Sequence, residues 1–309
     1  MINLTPAELL MLHYADIFTD NNNRFQGFWN YRYNISDPQQ LLSTLQRKGY
    51  IAVGDTAYQL QHLSTAEIKR HLSDNGLKTS GKKVDLIARL IANTDTNAVY
   101  NSLPHYYTLT DSGAVAEKTS EYNCVLYLHH NQSLDDYGLN INSVYRLLQD
   151  GDYKKAIVNY LLAQTKPPYF VIAGIFAEIE DYLNAFVNNI IDLRVFLEGQ
   201  QHQFNDPVTA PVLAANIAKF IYPYESSLLR IPVGRLRPLH DDIEKLNYSR
   251  DQVQQRINEI IKQLAASQFF FTDSECALII YSELYEDSDT LTAIYKTAEQ
   301  RFKAKYGIH

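Results

Sequence analysis

Six cations in one short stretch supply the clearest chemistry of this chain. Lys69, Arg70, Lys78, Lys82, Lys83 and Arg89 fall within residues 63–91, LSTAEIKRHLSDNGLKTSGKKVDLIARLI, where only Glu67, Asp74 and Asp85 oppose them. Six minus three leaves +3 on the stretch and, against −7 for the whole chain, −10 on the remainder. Lysine and arginine neutralise phosphates and release their condensed counterions. A basic patch on an acidic protein is a localised electrostatic footprint of that kind. Thr79, Ser80 and Gly81 stand among the cations, and small residues there let the backbone approach a phosphate closely. The competing reading of such a charge run is a solvated helix face.

Phosphate chemistry needs a frame, and the frame is written around the cations. Ser64 with Glu67 three residues later has the spacing of a capping box, which opens a helix. Ile68 and Leu72 share one face of it. The helix closes at Asn75-Gly76, because glycine accepts the left-handed conformation that ends helices. Leu77 turns back into a small core, residues 78–81 cross over, and a second helix starts near Lys82 with Leu86, Ile87 and Leu90 inward. Lys83 begins on that inner side, so its stem packs while its ammonium reaches out. Arg89 lies four residues after Asp85, and an intrahelical pair is its alternative to a phosphate contact.

The order Leu-Ser-Thr-Ala-Glu-Ile-Lys, Gly-Leu, Thr-Ser-Gly-Lys-Lys, Leu-Ile-x-Arg-Leu resembles the SAP motif, a helix–extended loop–helix DNA-binding module. The residues that carry the resemblance are Leu63, Glu67, Ile68, Lys69, Leu72, Gly76, Leu77, Gly81, Lys83, Leu86, Ile87 and Leu90. It implies contact with duplex DNA, often A·T-rich, through the basic face. The contact set is then Lys69, Arg70, Lys78, Thr79, Ser80, Gly81, Lys82, Lys83 and Arg89. Helix N-termini suit phosphate oxygens in the same way.

The rest of the chain offers little catalytic chemistry. It has no glycine-rich phosphate loop, G-x-S-x-G, H-E-x-x-H or C-x-x-C. Cys124 and Cys276 have no metal-ligand spacing. His240-Asp241-Asp242 comes nearest to a metal cluster, and an acid-rich helix N-terminus accounts for it. His129-His130, if on a strand, point to opposite sides. The expectation is therefore no enzyme, no cofactor and no metal. Residues 170–191 are the most apolar long segment, but Glu178, Glu180 and Asp181 exclude a membrane span. Residues 1–12 lack a leader's basic start and cleavage site, so a cytoplasmic protein is expected.

A chain of 309 residues suggests two domains. Thr5-Pro6-Ala7-Glu8 opens a first helix, an aromatic connector with Trp29 spans 25–33, and Pro38 starts a second helix running to Lys48-Gly49. Residues 50–53 read as a strand, with 58–60 as a candidate partner. The later Tyr-x-Leu-Thr-x-x-Gly at 107–113, after the Gly-Tyr-Ile at 49–51, resembles the winged-helix fold. The SAP-like pair at 62–95 is then inserted between the wing strands, with 93–103 as a polar link back. The helix at 38–48 would present Gln39, Gln40, Ser43, Arg47 and Lys48 to DNA or, equally, to solvent. Residues 121–130 read as a further strand or the start of a connecting helix, and 132–138 as the domain boundary.

Beyond it the pattern is helical: 142–149, 153–164, one long helix at 169–199, then 208–220, 249–266, 272–285 and 288–305. Residues 221–238, with Arg230, Arg235 and Arg237, read as a surface segment: a connector pinned to acidic helices or, as the alternative, a second basic contact. The fold class expected is mainly α: a small α+β winged-helix-like module at 1–131 carrying the SAP pair, then an all-α domain at 139–309. That domain is expected to bind itself or a protein partner. The alternative function is an adaptor whose SAP-like pair binds protein and not nucleic acid.

Overall fold

The computed structural model describes residues 3–21, 23–149, 151–202, 221–264 and 270–306. It is mainly helical with one two-stranded sheet, and it parts into two compact units, Met1–Tyr153 and Lys154–His309.

In the first unit, α1 (Pro6–His13) opens on the Thr5–Glu8 capping box with proline at its start. Leu9, Leu10, Met11 and Leu12 are all buried, since α3 (Pro38–Arg47) and the later α9 (Ser120–His130) both pack on α1. The short α2 (Phe28–Tyr31) sits within the aromatic connector and buries Trp29. Strand β1 (Ile51–Val53) follows α3 and pairs antiparallel with β2 (Tyr107–Leu109), Ile51 opposite Leu109 and Val53 opposite Tyr107.

Between the strands lie α4 (Thr56–His62), α5 (Thr65–Asp74), α6 (Lys83–Asn93) and α7 (Thr96–Asn101). Residues 58–60 are therefore helical and not a strand. Asp55 caps that helix by accepting the Tyr58 N–H at 2.8 Å. The polar link at 93–103 contains α7 for the same reason, with Asp95 accepting the Asn97 N–H.

After β2, Thr110 caps α8 (Asp111–Ala116), and its hydroxyl donates to the Gly49 carbonyl at 2.6 Å. Gly113 completes the joint. A Cβ there would lie 2.2 Å from the Tyr50 carbonyl oxygen, so only glycine lets α8 seat on the end of β1. Residues 121–130 resolve to the helix α9. Its neighbouring histidines lie about 100° apart around the axis, with His129 buried and His130 exposed. The polar stretch 132–138 is a 3-10 turn (Gln132–Tyr137) inside the first unit. Leu134 is buried there, and Asp135 pairs with Arg32 at 2.5 Å. The next element, α10 (Val144–Leu147), packs on α9, and Tyr145 donates to the Leu4 carbonyl at 2.7 Å.

Among the described residues, the helices of the second unit are α11 (Tyr153–Leu162, from Lys154 on), α12 (Tyr169–Glu178), α13 (Tyr182–His202), α14 (Val233–Leu246), α15 (Arg250–Gln263), α16 (Asp273–Leu284) and α17 (Ser288–Tyr306). The single long helix expected at 169–199 is two helices. Glu180 takes φ 60°, and the Asp181 N–H reaches back to the Phe176 carbonyl at 2.9 Å, which ends α12. The helix expected at 208–220 lies outside the described residues.

Residues 221–238 are not a surface connector. Ile221, Tyr224, Leu229, Ile231 and Leu236 join the core of this unit, and Pro238 lies within α14. Arg235 pairs with Asp192 at 2.5 Å, and Arg230 covers the Tyr224 ring. The His240-Asp241-Asp242 run falls well inside α14 and not at its N-terminus, so the helix dipole does not explain it. Asp242 is buried instead, accepting from Asn189 at 2.7 Å. Among the described residues no group of three or more His, Cys, Asp or Glu is arranged to hold a metal, and no helix is long and apolar enough to cross a membrane.

Candidate nucleic-acid interface

The basic stretch stands on two caps of local origin. Ser64 Oγ accepts the Glu67 N–H at 3.2 Å, and Glu67 Oε2 accepts the Ser64 N–H at 2.7 Å. Those bonds hold the Glu67 carboxyl below the usual carboxylate range. At the other end Gly76 takes φ 69°, its N–H reaching the Ser73 carbonyl at 2.9 Å and that of Leu77 reaching Leu72 at 2.8 Å. This pair of bonds is the Schellman closure, and it swings Leu77 back onto the core.

Ile68 and Leu72 of α5 and Leu86, Ile87 and Leu90 of α6 form that core, together with Leu60 of α4, Val99 of α7 and Leu103. The helix pair is thus not a free module. Its flanking helices complete a core that two short helices could not close. Buried Gln59 then fastens this assembly to the sheet. Its Nε2 donates to the Gly54 and Tyr106 carbonyls at 3.0 and 2.9 Å, and its Oε1 accepts the Tyr106 N–H at 2.7 Å. The amide acts like one more rung of the β ladder.

Between α5 and α6 the chain crosses with Gly81 at φ 137°. Arg89 Nη1 donates to the carbonyls of Lys78 and Ser80 at 2.6 and 3.0 Å, tying the crossing to α6. Arg89 thus turns to the loop and not to Asp85. Lys83 Nζ donates to the Gln61 carbonyl at 2.7 Å, so its ammonium fastens α6 to the end of α4.

Lys69, Arg70, Lys78 and Lys82 are exposed, and among the described residues none of the four has a carboxylate within ion-pair distance. Ser80 and Gly81 are exposed and Thr79 is half-buried. Lys82 is the N-cap of α6 and contributes no side-chain cap. Among the described residues, no backbone N–H from Lys78 through Asp85 has a protein acceptor. The result is a surface of unused N–H donors flanked by unpaired lysines, a combination that favours anions.

The structure therefore sorts the expected contact set. It leaves Lys69, Arg70, Lys78, Lys82, Ser80 and Gly81 on the surface and ties Lys83 and Arg89 to backbone carbonyls. Sequence reasoning did not find Gln59. At the C-terminal end of α3, Lys48 is held by Glu8 at 2.8 Å, and within the helix Gln39 accepts from Asn23 at 2.9 Å, which leaves Gln40, Ser43 and Arg47 facing out.

The family model of the SAP domain matches residues 59–94. The match begins at Gln59, the sheet clamp, and ends just past α6. Searches of curated proteins and of solved structures find no match to the chain.

Proposed function

Taking the SAP domain at 59–94 as its premise, we propose that this chain is a non-enzymatic protein that binds duplex DNA through the loop between α5 and α6. The observation that carries the reading is the run of N–H groups from Lys78 to Asp85 that have no acceptor among the described residues, with the exposed Lys78 and Lys82 beside it. Phosphate oxygens accept from such N–H groups, and each lysine that displaces a counterion adds a salt-dependent contribution. Most contacts of this kind position a protein on the duplex and carry no base information.

A site this small binds weakly on its own. A second contact, from the outward side of α3 or from a second copy of the chain, raises the effective affinity by linkage. We propose that the helical second unit supplies self-association or a protein partner. The test is a binding titration on A·T-rich duplex, G·C-rich duplex and single strands of equal length. The reading expects both duplexes to bind with similar steep salt dependence, the A·T-rich one more tightly. Equal or tighter binding to single strands, or no binding to any of the three, would refute it.

A further inference from the structure

We infer that Arg89 acts on the nucleic-acid site as a positioning residue, by holding the loop; the inference rests on the duplex-binding reading above. Arginine on a basic stretch is ordinarily taken as a phosphate contact. Here Nη1 of the guanidinium is already committed, since it donates to two loop carbonyls two residues apart.

That commitment acts on the loop in two ways. It withdraws the carbonyls of Lys78 and Ser80, which a phosphate oxygen would otherwise meet as repelling dipoles. It also pins a crossing, residues 78–81, whose N–H groups have no protein acceptor among the described residues. Without Arg89 no hydrogen bond to residues 78–81 remains among the described residues. Gly81 fits the same arrangement. Its φ of 137° disfavours any side chain there, and the position lies in ordinary contact range of Arg89 Nη2. Loop and guanidinium are therefore one device, ordering the donors before the ligand arrives, and preorganisation of this kind improves affinity by reducing the ordering cost of binding.

The device differs from a contact in what the conservative variant does. Lysine keeps the charge, but its side chain ends one bond short of the position of Nη1, so its ammonium does not reach both carbonyls from the same backbone. Arg89→Lys should therefore bind duplex about as poorly as Arg89→Ala, each roughly tenfold weaker than the wild type, about the value of one hydrogen bond to a charged group. Both should retain the melting temperature of the wild type to within a few degrees. In the free full-length protein, NMR relaxation of the 78–82 amides should show fast motion in both variants, while the Leu72 and Leu86 amides stay rigid. Arg89→Lys binding like the wild type, with Arg89→Ala weaker and less salt-dependent, would make Arg89 a phosphate contact and overturn the inference. Loop amides equally rigid in all three proteins would overturn it as well, by a measurement that needs no DNA. Failure of the wild type to bind any duplex would instead refute the reading on which the inference rests.

Discussion

Gly113 shows how one atom can decide a joint. Its missing Cβ would stand 2.2 Å from the Tyr50 carbonyl oxygen, a backbone atom that cannot swing aside. Gly113→Ala should destabilise the first unit by about 1–3 kcal/mol, the usual cost of forcing extra volume into a packed site. The fluorescence of Trp29, the chain's one tryptophan and itself buried, reports that transition. The same probe tests His129, whose ring nitrogens sit between the hydroxyls of Tyr14 at 2.9 Å and Tyr33 at 2.7 Å. Burial, with the Arg32 charge second, pushes its pKa down to about 4. The unfolded histidine, near 6.5, takes up its proton first. Stability from His129 is thus full above 6.5 and lost as pH falls toward 4. Asp242 in the second unit has the opposite sign. Burial pushes its pKa up to about 6, so its contribution is full below 3.8 and lost as pH rises through 6. Between pH 7 and 5 the Trp29 transition should weaken, and Asp242→Asn should flatten the pH dependence of the second unit alone. A Trp29 transition that strengthens on acidification would contradict the assignment. What was legible at this scale was local: the Ser64–Glu67 box and the Gly76 closure join residues three to five apart. Gln59 was illegible because its partner Tyr106 lies 47 residues on.

At the scale of elements, the insertion is larger than the motif within it. The α5–α6 pair leans on Leu60, Val99 and Leu103, which belong to flanking segments. Removing residues 63–93 alone would strip those side chains of their core and should give an insoluble protein. Removing residues 55–105 and joining Gly54 to Tyr106 by a short Gly/Ser bridge is different. The Gly54 N–H already meets the Tyr106 carbonyl at 3.0 Å, and loop-closure entropy changes only slowly with length. That deletion should melt cooperatively and lose most duplex affinity; aggregation of both deletions would refute the account of the insertion. The flanking helices escaped sequence reading because each is too short to show a period, and only their Asp55 and Asp95 caps announce them. The break between α12 and α13 escaped for another reason. It rests on Glu180 in the left-handed region, where a residue other than glycine is uncommon.

For the whole molecule, the two units give distinct expectations. Residues 154–309, with a buried cluster running from Phe186 to Phe302, should fold as a fragment with a cooperative thermal transition and without duplex affinity. A fragment that fails to melt cooperatively, or that binds duplex as the full chain does, would refute that division of labour. The central claim is that phosphate is held by the α5–α6 loop with the exposed Lys78 and Lys82 as its cations. It is tested most directly by the slope of log K against log salt for the full chain and for the Lys78→Ala/Lys82→Ala variant on one A·T-rich duplex. Two lost phosphate contacts should flatten the slope by about 1.8 and weaken binding at low salt, with the melting temperature unchanged. An unchanged slope and affinity in a folded double variant would contradict the claim.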